Sequence, residues 1–351
     1  MKIAMVLPSL ANVGPNIVAK ELCEQYLLRG LVCKIFYFDE VVQLQMPCAT
    51  ERISFKYPIA FGQWDIIHSH MFRPDAYVWY HYRKGNIPQS TKLVTTLHQP
   101  ITYSALCTTY NKIHAYIGPL FWTKLISIFN EVVVLNSDTA NCLRQKRGKI
   151  NITVINNGRT VPIIREISDT GDSERLVQLK QKYTIVGTIS SISKRKGLSQ
   201  MIEALVKLPG YAFVAVGDGP QLRELKVKAM NLGVIDRCLF LGYRANAVEY
   251  LSIFDLFVMC TYSEGFPLAL IEAAAYGIPT VLSDIPILKA IIGEPNVSYY
   301  HLEDIEDLAN KLQLVYSNKE KYGNNIRRYY EQNLTANIMA DKYIELYAVN
   351  K

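Results

Sequence analysis

The stretch Lys2–Phe38, KIAMVLPSLANVGPNIVAKELCEQYLLRGLVCKIFYF, decides the fold. Lys2–Leu7 is a short apolar run ending at Pro8, Asn16–Arg29 carries helical spacing, and Val32–Phe38 is a second apolar run. Strand, helix and strand in that order open a βαβ unit, in which a crossover helix joins two parallel strands. Outward from it the same rhythm predicts strands at Asp65–His68, Lys92–Leu97, Glu131–Leu135 and Ile152–Ile155, with helices near Pro74–Arg83, Tyr103–Phe129 and Ser137–Lys146. Strands that are apolar throughout, rather than alternating, belong to parallel sheets covered on both faces.

The segment Val161–Gln181 interrupts the rhythm with the polar run Asp169-Thr170-Gly171-Asp172-Ser173 and reads as a linker. A second series follows, with strands expected at Thr184–Ile189, Ala212–Val216, Cys238–Leu241, Leu256–Met259 and Thr280–Leu282, and helices at Leu198–Val206, Gln221–Leu232 and Leu268–Tyr276. The expected architecture is α/β, two Rossmann-like, doubly wound parallel-sheet domains facing across a cleft. The boundaries are residues 1–160, a linker over 161–182, a second domain over 183–333, and a C-terminal helix over 334–351 packing back on the first domain.

Composition narrows the class. Half of the 351 residues are apolar and 20% are charged, which excludes a disordered or collagen-like chain. Seven scattered cysteines contain no C-x-x-C pair, so neither a disulfide framework nor a zinc knuckle is indicated and reduced, cytoplasmic thiols are expected. The opening apolar run is too short for a signal peptide. The long apolar stretch Leu268–Leu282 is interrupted by Glu272 and Pro279, short of the ~20 residues a spanning helix needs. Charge is unevenly placed: residues 1–160 hold 17 Lys and Arg against 9 Asp and Glu, whereas the rest hold 21 against 22. The first domain is therefore the half that meets an anionic partner.

Three glycine turns are candidates for binding phosphate, because such turns let backbone N–H groups and helix N-termini face an anion beyond strand ends. Asn12-Val13-Gly14-Pro15-Asn16 lacks the G-x-G-x-x-G spacing of a dinucleotide fingerprint. Gly217-Asp218-Gly219-Pro220-Gln221-Leu222 has two of the three glycines, with Asp236 near the offset of a ribose-binding acid and Pro220 placed at the first helical position. Thr261-Tyr262-Ser263-Glu264-Gly265-Phe266-Pro267-Leu268 follows an apolar strand and opens a helix that carries Glu272 about two turns in. Carboxylates accept hydrogen bonds from sugar hydroxyls. Glu264 and Glu272 read either as such acceptors or as a charge at a helix start and a paired core residue.

The element from Glu264 to Glu272, in Ser-Glu-Gly-Phe-Pro-Leu-Ala-Leu-Ile-Glu-Ala, resembles the signature of family 4 retaining glycosyltransferases of the GT-B fold. Asp65-Ile66-Ile67-His68-Ser69-His70, Thr95-Thr96-Leu97-His98, Ile155-Asn156-Asn157-Gly158, Lys196-Gly197, Val216-Gly217-Asp218-Gly219-Pro220 and Phe240-Leu241-Gly242 occur in the order of that family. The resemblance implies that a sugar moves from a nucleotide-sugar donor to a hydroxyl of a glycan or lipid-linked acceptor, with retention of configuration, no metal and no cofactor. It implies catalytic roles for His98, Glu264 and Lys196. It implies donor contacts for Gly14, Ser191, Arg195, Lys196, Gly217, Gly242, Glu264, Gly265, Phe266, Pro267, Leu268 and Glu272. Two departures stand out: the family's phosphate-site Arg falls on Ser190 or Ser191, leaving Lys194 or Arg195 to supply the charge, and Gly14-Pro15 replaces a Gly-Gly pair. The implied context is surface polysaccharide assembly in a bacterium, on the inner face of the cytoplasmic membrane.

His68, His70 and His98 form an imaginable metal set, but no supporting carboxylate pattern accompanies them, and packed histidines are the better reading of His68 and His70. Tyr103–Phe129 reads as a core helix with an interfacial helix as its rival, and Gly118-Pro119 is expected to break it. The basic run Arg144-Gln145-Lys146-Arg147-Gly148-Lys149 has no aromatic RNA-binding motif beside it, so nucleic acid is not an expected partner. A nucleotide-sugar epimerase, a catalytically silent sugar-nucleotide binding protein and an NAD oxidoreductase are the rival functions.

Overall fold

A computed structural model describes residues 1–102, 112–145 and 150–348. The chain forms two units, Met1–Thr160 together with the segment from Asn333 onward, and Val161–Gln332. Each is built on one sheet in which every strand pair is parallel.

The first sheet runs β3-β2-β1-β4-β5-β6-β7, with β1 at Lys2–Leu7, β2 at Val32–Tyr37, β3 at Ala49–Arg52, β4 at Ile66–His70, β5 at Lys92–Leu97, β6 at Glu131–Val134 and β7 at Ile152–Val154. The inner strands are buried on both faces, as their unbroken apolar sequence demands. The edge strand β3 is exposed along its whole length and carries Glu51 and Arg52, which is why no apolar run announces it.

The helix Lys112–Ile126 runs through Pro119 rather than breaking there. Trp122 anchors it, fully buried and donating its indole N–H to Asp75 at 2.7 Å, and that tertiary contact outweighs the proline cost. Of the aromatic stretch, Trp122, Leu125, Ile126 and Phe129 are core, whereas Tyr116, Leu120 and Phe121 are exposed. Tyr103–Asn111 and Lys146–Lys149 lie outside the described residues.

The helix Ala336–Ala348 belongs to the first unit. Tyr347 meets Tyr26 of the helix Gly14–Leu28, hydroxyl to hydroxyl, at 2.9 Å, and Arg29 donates to Asp341 at 2.6 Å.

The second sheet runs β10-β9-β8-β11-β12-β13, with β8 at Thr184–Ile189, β9 at Tyr211–Val216, β10 at Cys238–Gly242, β11 at Leu256–Met259, β12 at Thr280–Ser283 and β13 at Ser298–Tyr300. Its order reverses between β8 and β11, which makes the carboxyl ends of those two strands the topological switch point where open α/β sheets bind ligands. Within the stretch read as a linker the structure has a helix, Thr170–Lys180. Asp169 caps it by accepting from the Asp172 N–H at 2.9 Å, so the polar run that looked like a loop is a helix start.

Candidate active site

Two loops meet at the switch point of the second sheet. After β8 the chain passes through Ser190–Ser193 into a tight turn at Lys194–Lys196, closed by Gly197 at φ +60°. After β11 it runs from Cys260 to Pro267, which is the N-cap of the helix Leu268–Ala275. The loops are stitched together by main-chain bonds: Tyr262 N–H donates to the Arg195 carbonyl at 2.9 Å, and the Thr261 hydroxyl lies 3.0 Å from that same carbonyl. A Cβ on Gly197 would stand 2.1 Å from the Cys260 carbonyl oxygen, so only glycine allows this approach.

The pairing brings three charged residues into contact. Lys196 Nζ donates to Glu264 Oε1 at 2.6 Å, and Arg195 donates to Glu264 Oε2 at 3.1 Å and to the Ser263 carbonyl. Glu264 is 5% exposed at its side chain, Lys196 14% and Arg195 37%. A buried carboxylate is tolerated here because two cations hold it, one of them reaching solvent. Lys194, the other candidate for the missing arginine, is exposed.

The remaining donor-site candidates of this unit gather on the same end of the sheet. Gly217 N–H donates to the Gly242 carbonyl at 2.8 Å, and both glycines have positive φ. A Cβ on Gly217 would meet the Ser190 carbonyl at 1.9 Å, which ties the β9 loop to the β8 loop. Ser191 is exposed, whereas the Ser190 hydroxyl is buried with no hydrogen-bond partner among the described residues. Glu264 is followed by Gly265 and the buried Phe266, and Leu268 starts the helix that buries Glu272 in its interior. Pro220 precedes the N-cap Gln221 of the helix Leu222–Asn231 instead of occupying its first position, and Asp236 is exposed in a turn before β10.

Gly14 and His98 belong to the first unit. Gly14 is the first residue of the helix after β1, and His98 follows β5, so both lie at the carboxyl edge of that sheet. His98 Nε2 is 2.8 Å from His70 Nδ1 with the rings stacked, and His70 in turn packs on His68 with centroids 4.3 Å apart. His68 is bound at both nitrogens, by Thr96 at 2.8 Å and Tyr347 at 2.7 Å. Burial pushes the His68 and His98 imidazoles down to about 3 and His70 well below its usual value, so all three are neutral near pH 7. Met71, directly after His70, sits at φ +77°, a strained backbone of the kind that clusters at working sites. Below this edge Asp75 accepts from Ser69 and Thr95, both at 2.6 Å, and from Trp122; burial lifts its carboxyl to about 6 against the pull of those three bonds. Neither the His70–His98 pair nor the Asp75 cluster is visible as a spacing in the sequence, because each joins residues on different strands.

Two all-parallel α/β units, each on a single sheet, make up the GT-B fold. Residues 172–332 match the family model of Glycosyl transferases group 1. The O-antigen biosynthesis glycosyltransferase WclY of Escherichia coli is 26% identical over 99% of this chain and 98% of its own length. The UDP-Gal:alpha-D-GlcNAc-diphosphoundecaprenol alpha-1,3-galactosyltransferase of Escherichia coli is 28% identical over 56% of this chain and 52% of its own. Among solved structures, Anabaena Alr3699/HepE in complex with UDP and glucose superimposes with a TM-score of 0.81, at 20% identity, over 99% of this chain and 100% of that one. Sucrose-phosphate synthase from Thermosynechococcus elongatus gives 0.80 at 19% identity, over 99% and 98%.

Proposed function

We propose that this chain is a glycosyltransferase that retains anomeric configuration, needs no metal, and moves a sugar from a nucleoside-diphosphate donor to a hydroxyl of a glycan or lipid-linked acceptor during bacterial surface polysaccharide assembly. The observation that carries the reading is the Arg195–Glu264–Lys196 cluster at the switch point of the second sheet. The two cations and the backbone N–H groups after Glu264 suit a diphosphate, and the carboxylate suits sugar hydroxyls. In the reaction the bond from the anomeric carbon to the phosphate oxygen breaks while the bond to the acceptor oxygen forms on the same face. The acceptor proton passes to the departing phosphate, whose growing charge Lys196 and Arg195 stabilise. No separate base is then required. The names of the relatives, with O-antigen assembly and a diphosphoundecaprenol acceptor, support the context, and the UDP complex of HepE makes UDP-sugars the first donors to try.

The basic first unit, with Tyr116, Leu120 and Phe121 exposed on one helix beside Lys124, supports peripheral contact with an anionic membrane on its cytoplasmic face. Among the described residues no helix is long and apolar enough to cross a membrane.

Incubating the purified chain with sugar nucleotides, in the presence and absence of a polyprenyl-diphosphate saccharide and a metal chelator, tests the reading. The expected result is an acceptor-dependent product with the donor's anomeric configuration, formed equally in chelator. An inverted product, a converted donor sugar without acceptor, or nucleotide binding with no turnover on any acceptor would each overturn it.

A further inference from the structure

Three cysteines on different elements converge in the first unit. Cys23 lies within the helix Gly14–Leu28, Cys33 on β2 and Cys48 directly before β3, and their sulfur atoms all lie within 4.8 Å of one another. Cys23 and Cys33 are buried with their sulfurs 3.1 Å apart, and Cys48 is half-buried.

Such a cluster can hold a thiophilic metal or close a disulfide, and charge and distance discriminate between them. Three thiolates around one divalent ion leave negative charge in a buried place. The cation beside Cys33, Lys34, is already paired with Glu51 at 2.6 Å. Sulfurs sharing a tetrahedral zinc at about 2.3 Å would stand roughly 3.8 Å apart, wider than the Cys23–Cys33 pair. Oxidation of two neutral thiols leaves no charge behind and needs that pair only to draw in to about 2.05 Å.

We propose that Cys23, Cys33 and Cys48 form a modification site at which a hydroperoxide creates an internal disulfide, with Cys48 as the point of entry. The Cys48 thiolate attacks the peroxide O–O bond, giving a sulfenic acid and releasing an alcohol, or water from hydrogen peroxide. A neighbouring thiol attacks the sulfenic sulfur and expels water, forming the first disulfide. Thiol–disulfide exchange then moves the bond to the close Cys23–Cys33 pair and restores the Cys48 thiol. In sum, two thiols and one hydroperoxide give one disulfide, one alcohol and one water. The bond joins β2, near its amino end, to the helix that begins at Gly14, so oxidation cross-links helix and sheet on the side away from the carboxyl edge.

The test uses the reduced full chain, titrated with hydrogen peroxide, alkylated after denaturation and mapped by mass spectrometry. The expected product is lighter by two hydrogens, with Cys23 and Cys33 joined in one cross-linked peptide pair, and a raised Tm that a thiol reductant reverses. Cys48→Ser is expected to slow disulfide formation at least about tenfold without preventing folding, since that side chain is half-buried. Cys33→Ala is expected to leave oxidised Cys48 joined to Cys23. Full alkylation of all three thiols after excess peroxide, an unchanged rate in Cys48→Ser, or one-to-one uptake of Zn²⁺ or Cd²⁺ that protects all three cysteines would overturn the proposal.

Discussion

Nδ1 of His70 lies 2.8 Å from Nε2 of His98, and the other nitrogen of His70 is buried with no partner among the described residues. Two neutral imidazoles must share one proton across that contact. If His70 accepts, its own N–H is stranded in the interior; if His70 donates, only a lone pair is stranded, the cheaper of the two. His98 then carries its proton on Nδ1, the nitrogen left to meet a ligand.

Replacement of His70 by phenylalanine keeps a ring in place and removes the donor. kcat is expected to fall about tenfold, the worth of one hydrogen bond, with KM little changed. His98→Ala is expected to lose more, and steady-state kinetics on both variants decide whether the pair works as a unit.

At the other sheet, Lys196→Ala removes the more buried of the two cations on Glu264. A fall in kcat of about 10²–10³ is expected, the usual cost of one donor aimed at developing charge. Glu264→Ala is expected to abolish transfer while leaving two cations that still bind free nucleoside diphosphate, which a thermal-shift titration with UDP reads separately from activity.

Gly197 holds the two loops of this site together at φ +60° against the Cys260 carbonyl. Gly197→Ala adds about 1–2 kcal/mol of left-handed backbone cost before the steric conflict is counted. A lowered Tm together with weaker nucleotide binding is the expected outcome; an unchanged melting curve would show that the loop has room.

Acid should weaken the first unit. Folded His68, His70 and His98 stay neutral where their unfolded counterparts take up protons, so below about pH 6.5 the unfolded state binds more protons and stability drops as pH falls toward 3. Asp75 works the other way: raised to about 6, it holds a proton in the folded state that the unfolded chain has lost, offsetting part of the fall between pH 6 and 4. Tm measured from pH 8 to 4 should decline with falling pH, and His68→Gln should flatten the slope.

Contact with a membrane is checked by flotation with anionic vesicles. Neutralising Arg144, Lys146, Arg147 and Lys149 together should reduce binding at low salt and matter little at high salt. Changing Leu120 and Phe121 to serine should reduce it at both.

Much of this was legible in the sequence, and the exceptions have physical causes. Buried parallel strands such as Lys2–Leu7 and Leu256–Met259 announce themselves because both faces need apolar side chains. β3 and the three-residue β13 do not, the first being exposed and the second too short for a pattern. Arg195, Lys196 and Glu264 were found as residues, but that both cations grip one carboxylate depends on two loops meeting at the switch point. His70 was read as a packed histidine and is one, fully buried, but a spacing of two cannot show that His98 is its partner. The cysteines looked scattered for the same reason: helix Gly14–Leu28, β2 and the turn before β3 must assemble before their sulfurs meet.

The return of the chain to its first unit at Asn333 has a consequence for biosynthesis. Tyr343 and Tyr347, which complete the hydrogen bonds of Thr96 and His68, leave the ribosome only after the whole of Val161–Gln332. The first unit therefore cannot close its interior until Val161–Gln332 has been synthesised, and that continuous piece is able to fold ahead of it. A premature stop after Asn333 would leave the contiguous unit whole and cripple the one synthesised first.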